Sequence, residues 1–318
     1  MTMVEPGRGF WSDLARLRVG LSAFLMQSAP GDSGALLSGL VTGDDGAMSQ
    51  EASQAFIDSG TTHITAISGA NFATLTLLLG VLATGSMRRN IVFVIGASAT
   101  IWLYALIVGL QPSALRAALL ATAVLAGRWI GRRPDLLTLT VLLAATQIAI
   151  RPHDFQTLAF QLSVAATIAL IVVFDGSERM PGRSRSVSLG LSVLAAQLAT
   201  IPLLAWQIGT LSAIGLFANL FVGPLAGVAF PIALIGALAG KAAGTIGELV
   251  LLPAEWICRV MIGFVEWTDR RAPGSVQLGE PTMLAIVMIA LACWAAVFAM
   301  SGDLRRAGGH TLAIIKSW

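Results

Sequence analysis

Long apolar blocks recur along this chain, and they limit its possible folds more than any other feature of the sequence. In lipid, only helices and closed barrels satisfy every backbone hydrogen bond, and long apolar runs without alternation are typical of membrane-spanning helices. The composition agrees, because 56% of the residues are hydrophobic and 12% are charged, whereas soluble domains carry about 25% charged residues. The sequence therefore predicts an all-α, polytopic integral membrane bundle with roughly 8 to 10 membrane segments, some of them broken or re-entrant.

We place one span at each apolar block that approaches the roughly 20 residues needed to cross the hydrocarbon core. The predicted spans are 64–84, 91–110, 114–131, 136–150, 155–174, 187–207, 212–239 and 283–300. Proline interrupts helical hydrogen bonding, so we expect helix breaks at Pro202 and Pro224. The block 212–239 also contains Pro231, which favours a broken or re-entrant pair over one straight helix.

Basic residues follow alternate spans and predict the topology. The intervening links contain a single Lys or Arg, which is Arg151. The basic residues of the alternate set are Arg88, Arg89, Arg128, Arg132, Arg133, Arg179, Arg183, Arg185 and Lys241. By the positive-inside rule, the basic loops face the cytoplasm. The segment 31–62 contains five acidic residues and no Lys or Arg, so we expect it to be extracytoplasmic. The net charge of +3 reflects this bias and does not by itself indicate nucleic-acid binding.

The chain divides into four predicted regions. They are an amphipathic interfacial segment (1–30), the acidic extracytoplasmic segment (31–62), a transmembrane channel domain (63–301), and a cytoplasmic tail or the start of a further domain (302–318). In the first region, leucines at helical spacing lie beside Arg16 and Arg18, which is typical of an interfacial helix. In the second, Asp32–Gly34 and Thr42–Gly46 predict turns, and Ser49 predicts the N-cap of a short helix that ends near Asp58.

A charged stripe makes the block 245–267 ambiguous. Glu248, Glu255, Arg259 and Glu266 recur on one helix face, and Glu255 and Arg259 have the spacing of an ion pair. The helix either lies in the outer interface or spans the membrane with the stripe facing water. We favour the interface, because four charges on a span are costly.

The stretch from His63 to Ala73 carries the most concentrated polar pattern. Ser68 and Asn71 are three residues apart and share a helix face. Gly69 leaves room for a neighbouring helix or for a helix break. Such a patch at the mouth of a span is a candidate site, although on this stretch alone helix packing through Asn and Ser is the favoured interpretation.

Further polar residues lie inside or beside other spans. Ser113 and Arg116 open the third span, where the helix dipole disfavours a cation; Arg116 either reaches the outer headgroups or lines a path for an anionic solute. Gln161 and Ser163 lie within the fifth span. Asn219 lies in a stripe of small residues that permits close helix approach. Polar groups together with helix breaks at bilayer depth favour a solute path over a purely structural bundle.

Neither a metal site nor a cofactor is predicted. His63, His153 and His310 are scattered without metal-ligand spacing, and the two cysteines, Cys258 and Cys293, lie in apolar segments. We predict no catalytic residue.

These polar motifs, taken in chain order, resemble those of the central membrane domain of the ComEC-type competence proteins. The family pattern contains His-x-x-x-x-Ser-Gly, Ser-x-x-Arg-Ala, Phe-Gln-Leu-Ser, a Pro-containing span, Asn-Leu and Pro-Leu. The matching residues are His63, Ser68, Gly69, Ser113, Arg116, Ala117, Phe160 to Ser163, Pro202, Asn219, Leu220, Pro224 and Leu225, preceded by a Leu-x-x-Gly-Asp approach at Leu40–Asp44. Asn71 stands where many members have His, which removes a titratable group. The resemblance covers about residues 30–300.

The resemblance implies an inner-membrane channel for single-stranded DNA in natural transformation, with membrane lipid, a DNA receptor and a cytoplasmic translocase as partners. Family members commonly add an OB-like domain and a metallo-β-lactamase-like domain, so any nuclease is expected to lie elsewhere. The residues proposed to line the path are His63, Ser68, Gly69, Asn71, Ser113, Arg116, Gln161, Ser163 and Asn219.

Two alternatives remain from the residues themselves. A secondary transporter of a small anionic solute would use the same broken helices. An intramembrane serine hydrolase would use Ser68 with His63, but residues five apart on a regular helix point about 140° apart, so that pair requires a break at Gly69.

Overall fold

A computed structural model describes residues 9–65, 67–83, 90–132, 134–178, 184–208, 210–211, 215–271, 276–277, 285, 288–290 and 292–295. The main helices are α1 (Phe10–Ser28), α2 (Asp32–Thr42), α3 (Gln50–Asp58), α4 (Gly69–Leu82), α5 (Ile91–Ile107), α6 (Pro112–Ile130), α7 (Leu136–Ile150), α8 (Leu158–Glu178), α9 (Arg185–Ile208), α10 (Gly215–Ala243) and α11 (Thr245–Arg271). Short 3₁₀ helices cover Thr62–Ile64 and Pro152–Gln156. The prediction of a span at 283–300 falls largely outside the described residues.

The chain forms two units. The first comprises Met1–Arg133 and Ser212–Ser275, and the second comprises Pro134–Leu211 and Val276–Trp318. Helices α1 to α6, α10 and α11 belong to the first unit, and α7 to α9 to the second. Two-residue strands β1 (Thr210–Leu211) and β2 (Val276–Gln277) pair antiparallel in the second unit, with Thr210 opposite Gln277.

The helices confirm the predicted all-α, multi-pass membrane fold. Among the described residues, four helical stretches are long and apolar enough to cross a membrane. They are Pro112–Ile130, Leu158–Asp175, Val187–Leu204 and Phe217–Ala243. Three shorter apolar helices cover Gly69–Val81, Ile91–Ile107 and Leu136–Ile150. Large apolar side chains on these helices remain exposed, including Leu77, Val92 and Val141, as expected of surfaces that face lipid.

The region 212–239 differs from the expected broken or re-entrant pair. Helix α10 runs continuously from Gly215 to Ala243, with Pro224 and Pro231 inside it. Helix α9 likewise continues through Pro202. Neighbouring helices and side chains can satisfy the groups that an internal proline leaves unpaired, so proline by itself does not end a membrane helix. Each proline still lacks the backbone N–H that donates to the carbonyl four residues earlier. At Pro202, the hydrogen bond that is lost is the one to the Leu198 carbonyl.

Helix α2 corrects the turn that we expected at Asp32–Gly34. The helix begins at Asp32, and Leu36, Leu37 and Leu40 on it are at most 1% exposed. Helix α2 packs against α1, α10 and α11. A short segment rich in Gly, Ser and Leu between acidic flanks has the composition of a loop, but its small residues permit close packing on several sides at once.

Two other local predictions are confirmed. The chain turns after Thr42, where Gly43 adopts a left-handed conformation with φ of 75°, and glycine adopts such a conformation without steric cost. The Ser49 side chain accepts a hydrogen bond from the Ala52 amide and caps α3. The segment predicted to be amphipathic and interfacial contains helix α1, whose Leu14, Leu21 and Leu25 are buried against protein. Its position at the membrane interface stays a prediction.

Helices α10 and α11 form an antiparallel hairpin whose close approach depends on glycine. A methyl group added at Gly247 would overlap the backbone of Gly240, and one added at Gly236 would lie 2.7 Å from the Leu251 side chain. On α11, buried residues repeat with alternating spacings of four and three, as in a heptad. They are Gly247, Leu251, Ala254, Cys258, Met261, Val265 and Thr268. Small residues and this repeat therefore determine the seam of the hairpin.

Gly247→Ala should destabilise the protein, because the added methyl group meets backbone that cannot move aside. We expect a loss of about 1–3 kcal/mol, typical of overpacking, measured as a lower midpoint of thermal unfolding in detergent. Gly263→Ala on the same helix is the matched control, since no described atom lies within 4 Å of its added methyl group. Equal midpoints for the two variants would contradict the proposed seam.

Candidate functional site

The C-terminal end of α2 is held by side chains from two other helices. The last carbonyls of a helix have no partner within it. The Gly43 amide donates to the Gly39 carbonyl, the Asn71 side-chain amide donates to the Leu40 carbonyl at 2.8 Å, and the Tyr104 hydroxyl donates to the Val41 carbonyl at 3.2 Å. We call Leu40, Val41, Asn71 and Tyr104 the α2 junction. The junction joins α4 and α5 to the buried helix.

Ser68 supports this junction from the start of α4. Its side-chain oxygen donates to Asn71 Oδ1 at 3.1 Å, and Ser68 is the N-cap position of a helix that begins at Gly69. The expected contact between Ser68 and Asn71 is therefore present, but the helix starts five residues later than the predicted span 64–84. Asn71 is 6% exposed, so in this structure it packs and bonds as helix-joining asparagines do.

The acidic turn after α2 is anchored by two further hydrogen bonds. The Thr65 hydroxyl donates to Asp45 Oδ2 at 2.8 Å, and the Ser22 hydroxyl donates to Asp44 Oδ2 at 3.1 Å. A methyl group added at Gly39 would overlap the Thr65 carbonyl oxygen. The segment 39–45 therefore connects α1, α2 and the approach to α4.

His63 lies apart from this network. It belongs to the 3₁₀ helix Thr62–Ile64 and is exposed, whereas Ser68 donates its proton to Asn71. The helix break that a Ser68–His63 hydrolase would require is present, because α4 starts at Gly69. However, the hydroxyl of Ser68 is directed to an amide oxygen rather than to a base, which does not favour an activated nucleophile.

Arg116 is a buried cation near the start of a membrane-spanning helix. It is 5% exposed and follows Pro112, the first residue of α6. Ser113, in the first turn, is half-buried. The Cβ of Ala117 lies 3.9 Å from a methyl group built on Gly69, so the start of α4 and the first turns of α6 are neighbours. The structure thus brings Ser68, Gly69, Ser113 and Arg116 into one region of the first unit.

Asn219 is half-buried on α10, also in the first unit. Its Oδ1 is shielded from solvent and accepts no hydrogen bond from any described residue. The small residues near it do not mark the close approach that we expected, because no described atom lies within 4 Å of a methyl group added at Gly223 or Gly227. The close approach occurs about two and a half turns or more after Gly227, at Gly236 and Gly240.

The remaining site residues belong to the second unit. The Gln161 side-chain amide donates to the Phe155 carbonyl at 3.0 Å. Ser163 is half-buried, and its carbonyl accepts from the Thr167 hydroxyl at 2.6 Å. These bonds are local to α8 and its N-terminal connection, and Pro202 lies on α9, which packs against α8.

Tyr104 is a site residue that the sequence analysis missed. It is the single tyrosine of the chain, it is 3% exposed, and its ring contacts Phe72 of α4 and Phe230 of α10. A buried hydroxyl usually has a hydrogen-bond partner, so an isolated Tyr in an apolar block was the available signal.

Comparison with known proteins supplies the family. A protein-family model described as "Competence protein" matches residues 40–302, which is most of the chain. This chain belongs to the Competence protein family. It is similar to ComE operon protein 3 of Bacillus subtilis (strain 168), with 27% identity over 272 residues. That alignment covers 82% of this chain and 34% of the relative, so the chain spans about a third of that protein's length. No solved structure matches.

Removing the α2 junction bonds should lower stability in a graded way. Asn71→Leu leaves the Leu40 carbonyl and the Ser68 hydroxyl without their partner, which we expect to cost about 1–3 kcal/mol. Tyr104→Phe removes one hydrogen bond and should cost less, about 0.5–1.5 kcal/mol. Thermal unfolding in detergent measures both. Thr100→Val, at an exposed site on the same helix as Tyr104, should change little; a loss as large as that of Asn71→Leu would refute the special role of the junction.

Proposed function

We propose that the chain forms the membrane channel through which single-stranded DNA enters the cell during natural transformation. The family membership supports this function, because the matched region contains every residue that we assign to the path. The substrate, single-stranded DNA, and its transport into the cell are both part of the proposal, because the chain spans only about a third of the length of its curated relative. The cytoplasmic membrane is the proposed location. Of the segment predicted to be extracytoplasmic, we place only residues 43–62 outside, because α2 packs against α10 and α11.

The observation that carries the proposal is the burial of Arg116 in a membrane helix. A charged side chain inside a membrane domain is costly and faces the protein interior or a watered cavity. Arg116 lies in the first turns of α6, where the helix dipole adds to the local positive potential. A strand of DNA presents one phosphate per nucleotide, and an arginine pairs strongly with phosphate oxygens.

Hydroxyl and amide groups complete the proposed path. Ser68 and Ser113 lie at the neighbouring starts of α4 and α6, and each offers a hydroxyl near the region of Arg116. Asn219 on α10 offers a side chain whose oxygen is not engaged by a described donor. Gln161 and Ser163 of the second unit stay predictions from the sequence. Sequence-independent transport of a strand suits such donors, because phosphate contacts do not read the bases.

The proposed partners follow from this function. They are single-stranded DNA, membrane lipid, a DNA receptor, a cytoplasmic translocase, and separate OB-like or nuclease domains. A transporter for a small anionic solute is the second candidate, since a buried arginine also suits such a ligand. The two are distinguished by which ligand, a single-stranded oligonucleotide or a small anion, raises the midpoint of thermal unfolding.

Arg116→Ala should reduce DNA uptake without reducing the amount of protein in the membrane. Loss of one charge-assisted contact costs about 1.5–3 kcal/mol, which corresponds to about tenfold or more in binding. Uptake of labelled DNA is measured in cells whose only copy of this chain carries the substitution. Arg116→Lys, which keeps the charge but not the planar geometry, should retain part of the activity.

Arg128→Ala is the matched control, because Arg128 lies at the exposed end of the same helix. We expect it to leave uptake near the level of the parent chain. Normal uptake in Arg116→Ala cells, at normal protein level, would remove Arg116 from the path and would leave the family membership as the only support for the channel.

A further inference from the structure

Helix α11 carries a narrow charged stripe that the proposed function does not use. At 3.6 residues per turn, Glu248, Glu255, Arg259, Glu266 and Arg270 fall within a sector of about 60°. Two ion pairs connect the stripe, Glu255 with Arg259 at 2.6 Å and Glu266 with Arg270 at 2.7 Å. The Glu255 side chain is 13% exposed, so this pair is partly shielded from solvent.

The part of the exposed surface of α11 next to the stripe is apolar. Leu249, Trp256 and Trp267 lie on one face and are 68%, 69% and 50% exposed. A third face is the buried seam against α10. Helix α11 therefore has a protein face, an apolar exposed face and a charged stripe between them. A helix in the membrane that borders both lipid and water requires such a division.

The hairpin geometry gives α11 the same membrane depth as α10. Gly247 lies against Gly240 and Leu251 against Gly236, and the rings of Phe264 and Phe221 are 4.3 Å apart. The contact thus extends over α10 from residue 221 to residue 240, which is about 29 Å at 1.5 Å per residue. The hydrocarbon core is about 30 Å thick. Since the stretch Phe217–Ala243 of α10 is apolar enough to span, a helix packed along all of it also crosses the core.

This placement also accounts for Lys241 and the C-terminal arginines without breaking α10. If α10 crosses once and α11 crosses back, a span at 283–300 places Arg305 and Arg306 on the same side as Lys241. An interfacial α11 would instead require two crossings within 212–239. The continuous helix Gly215–Ala243 favours the first arrangement over the interfacial one that the charges alone suggested.

A shallow, open cavity with a mixed polar and apolar lining lies directly beside the stripe. It has a volume of about 340 Å³, and its lining includes Arg259, Gly263 and Glu266 of α11 together with Asp32 and Ser33 of α2. By the register of the hairpin, Arg259 lies opposite residues 227 and 228 of α10, well inside the apolar stretch. Charged residues at that depth need water or an ionic partner, and the cavity provides space for water.

We propose that α11 spans the membrane and that its charged stripe, with Asp32 and Ser33 of α2, forms one wall of a water-filled passage. The identity of the solute in this passage rests on the proposed function, whereas the position of α11 does not. The alternating charges of the wall suit a hydrated passage better than a tight anion site, because Glu266 and Asp32 would repel phosphate from Arg259.

Single-cysteine labelling tests both parts of the proposal. In the full chain with Cys258→Ala and Cys293→Ala, Ala243→Cys and Arg270→Cys mark the two ends of α11. A membrane-impermeant maleimide is applied to intact and to permeabilised cells. We expect the thiol at one end to react in both intact and permeabilised cells. The thiol at the other end should react only after permeabilisation. Labelling of both ends from the same side would overturn the proposal.

The wall is tested with an impermeant methanethiosulfonate reagent at mid-helix positions. Arg259→Cys should react rapidly, because Arg259 is exposed on the charged stripe and borders the cavity. Trp256→Cys, on the apolar face, is the control and should react slowly, since a thiol in lipid does not ionise. Equal, slow reaction at both positions would exclude a watered wall. These results do not involve DNA, so normal uptake in Arg116→Ala cells would remove Arg116 from the proposed path and leave this inference standing.

Discussion

The terminal carbonyls of α2 impose the constraint on which the rest of the first unit depends. Helix α2 is almost fully buried, so its C-terminal carbonyls have no access to bulk water, and a buried carbonyl without a donor costs about 1–3 kcal/mol. Asn71 and Tyr104 supply the missing donors from α4 and α5. Because each donor comes from a different helix, satisfying α2 also fixes where α4 and α5 pack.

This arrangement explains why the polar residues near His63 resemble a site by their pattern but bond like structural groups. Ser68, Asn71 and Tyr104 form a chain of hydrogen bonds that ends on backbone carbonyls of α2. The neighbouring Arg116 is a cation rather than a neutral amide or hydroxyl. In our account, the neutral residues hold α4 and α5 against α2, and Arg116 contacts the passing strand.

Much of the fold followed from the sequence because hydrophobic length and loop charge are local quantities. The apolar blocks gave α5, α6 and α7 within a few residues, and Ser49 and Gly43 marked a helix start and a turn correctly. The burial of α2 was not predicted, because a short segment with acidic flanks has the composition of a surface loop. It becomes part of the core only through contacts with α1, α10 and α11. The continuity of α10 was missed because the effect of Pro224 and Pro231 depends on neighbouring helices. The candidate site was predicted in its residue types, and the contact of Ser68 with Asn71 was foreseen, but the partners of Asn71 and the role of Tyr104 depend on tertiary packing.

The most direct measurement of the central claim asks whether DNA in transit touches the start of α6. Single-stranded DNA carrying a thiol-reactive tether is supplied to cells whose only copy has Ser113→Cys in a background with Cys258→Ala and Cys293→Ala. Leu103→Cys, on an exposed apolar surface of α5, is the control. The account predicts a covalent DNA adduct at Ser113→Cys and none at Leu103→Cys. Uptake of the tethered DNA with no adduct at Ser113→Cys, or equal adducts at both positions, would contradict it.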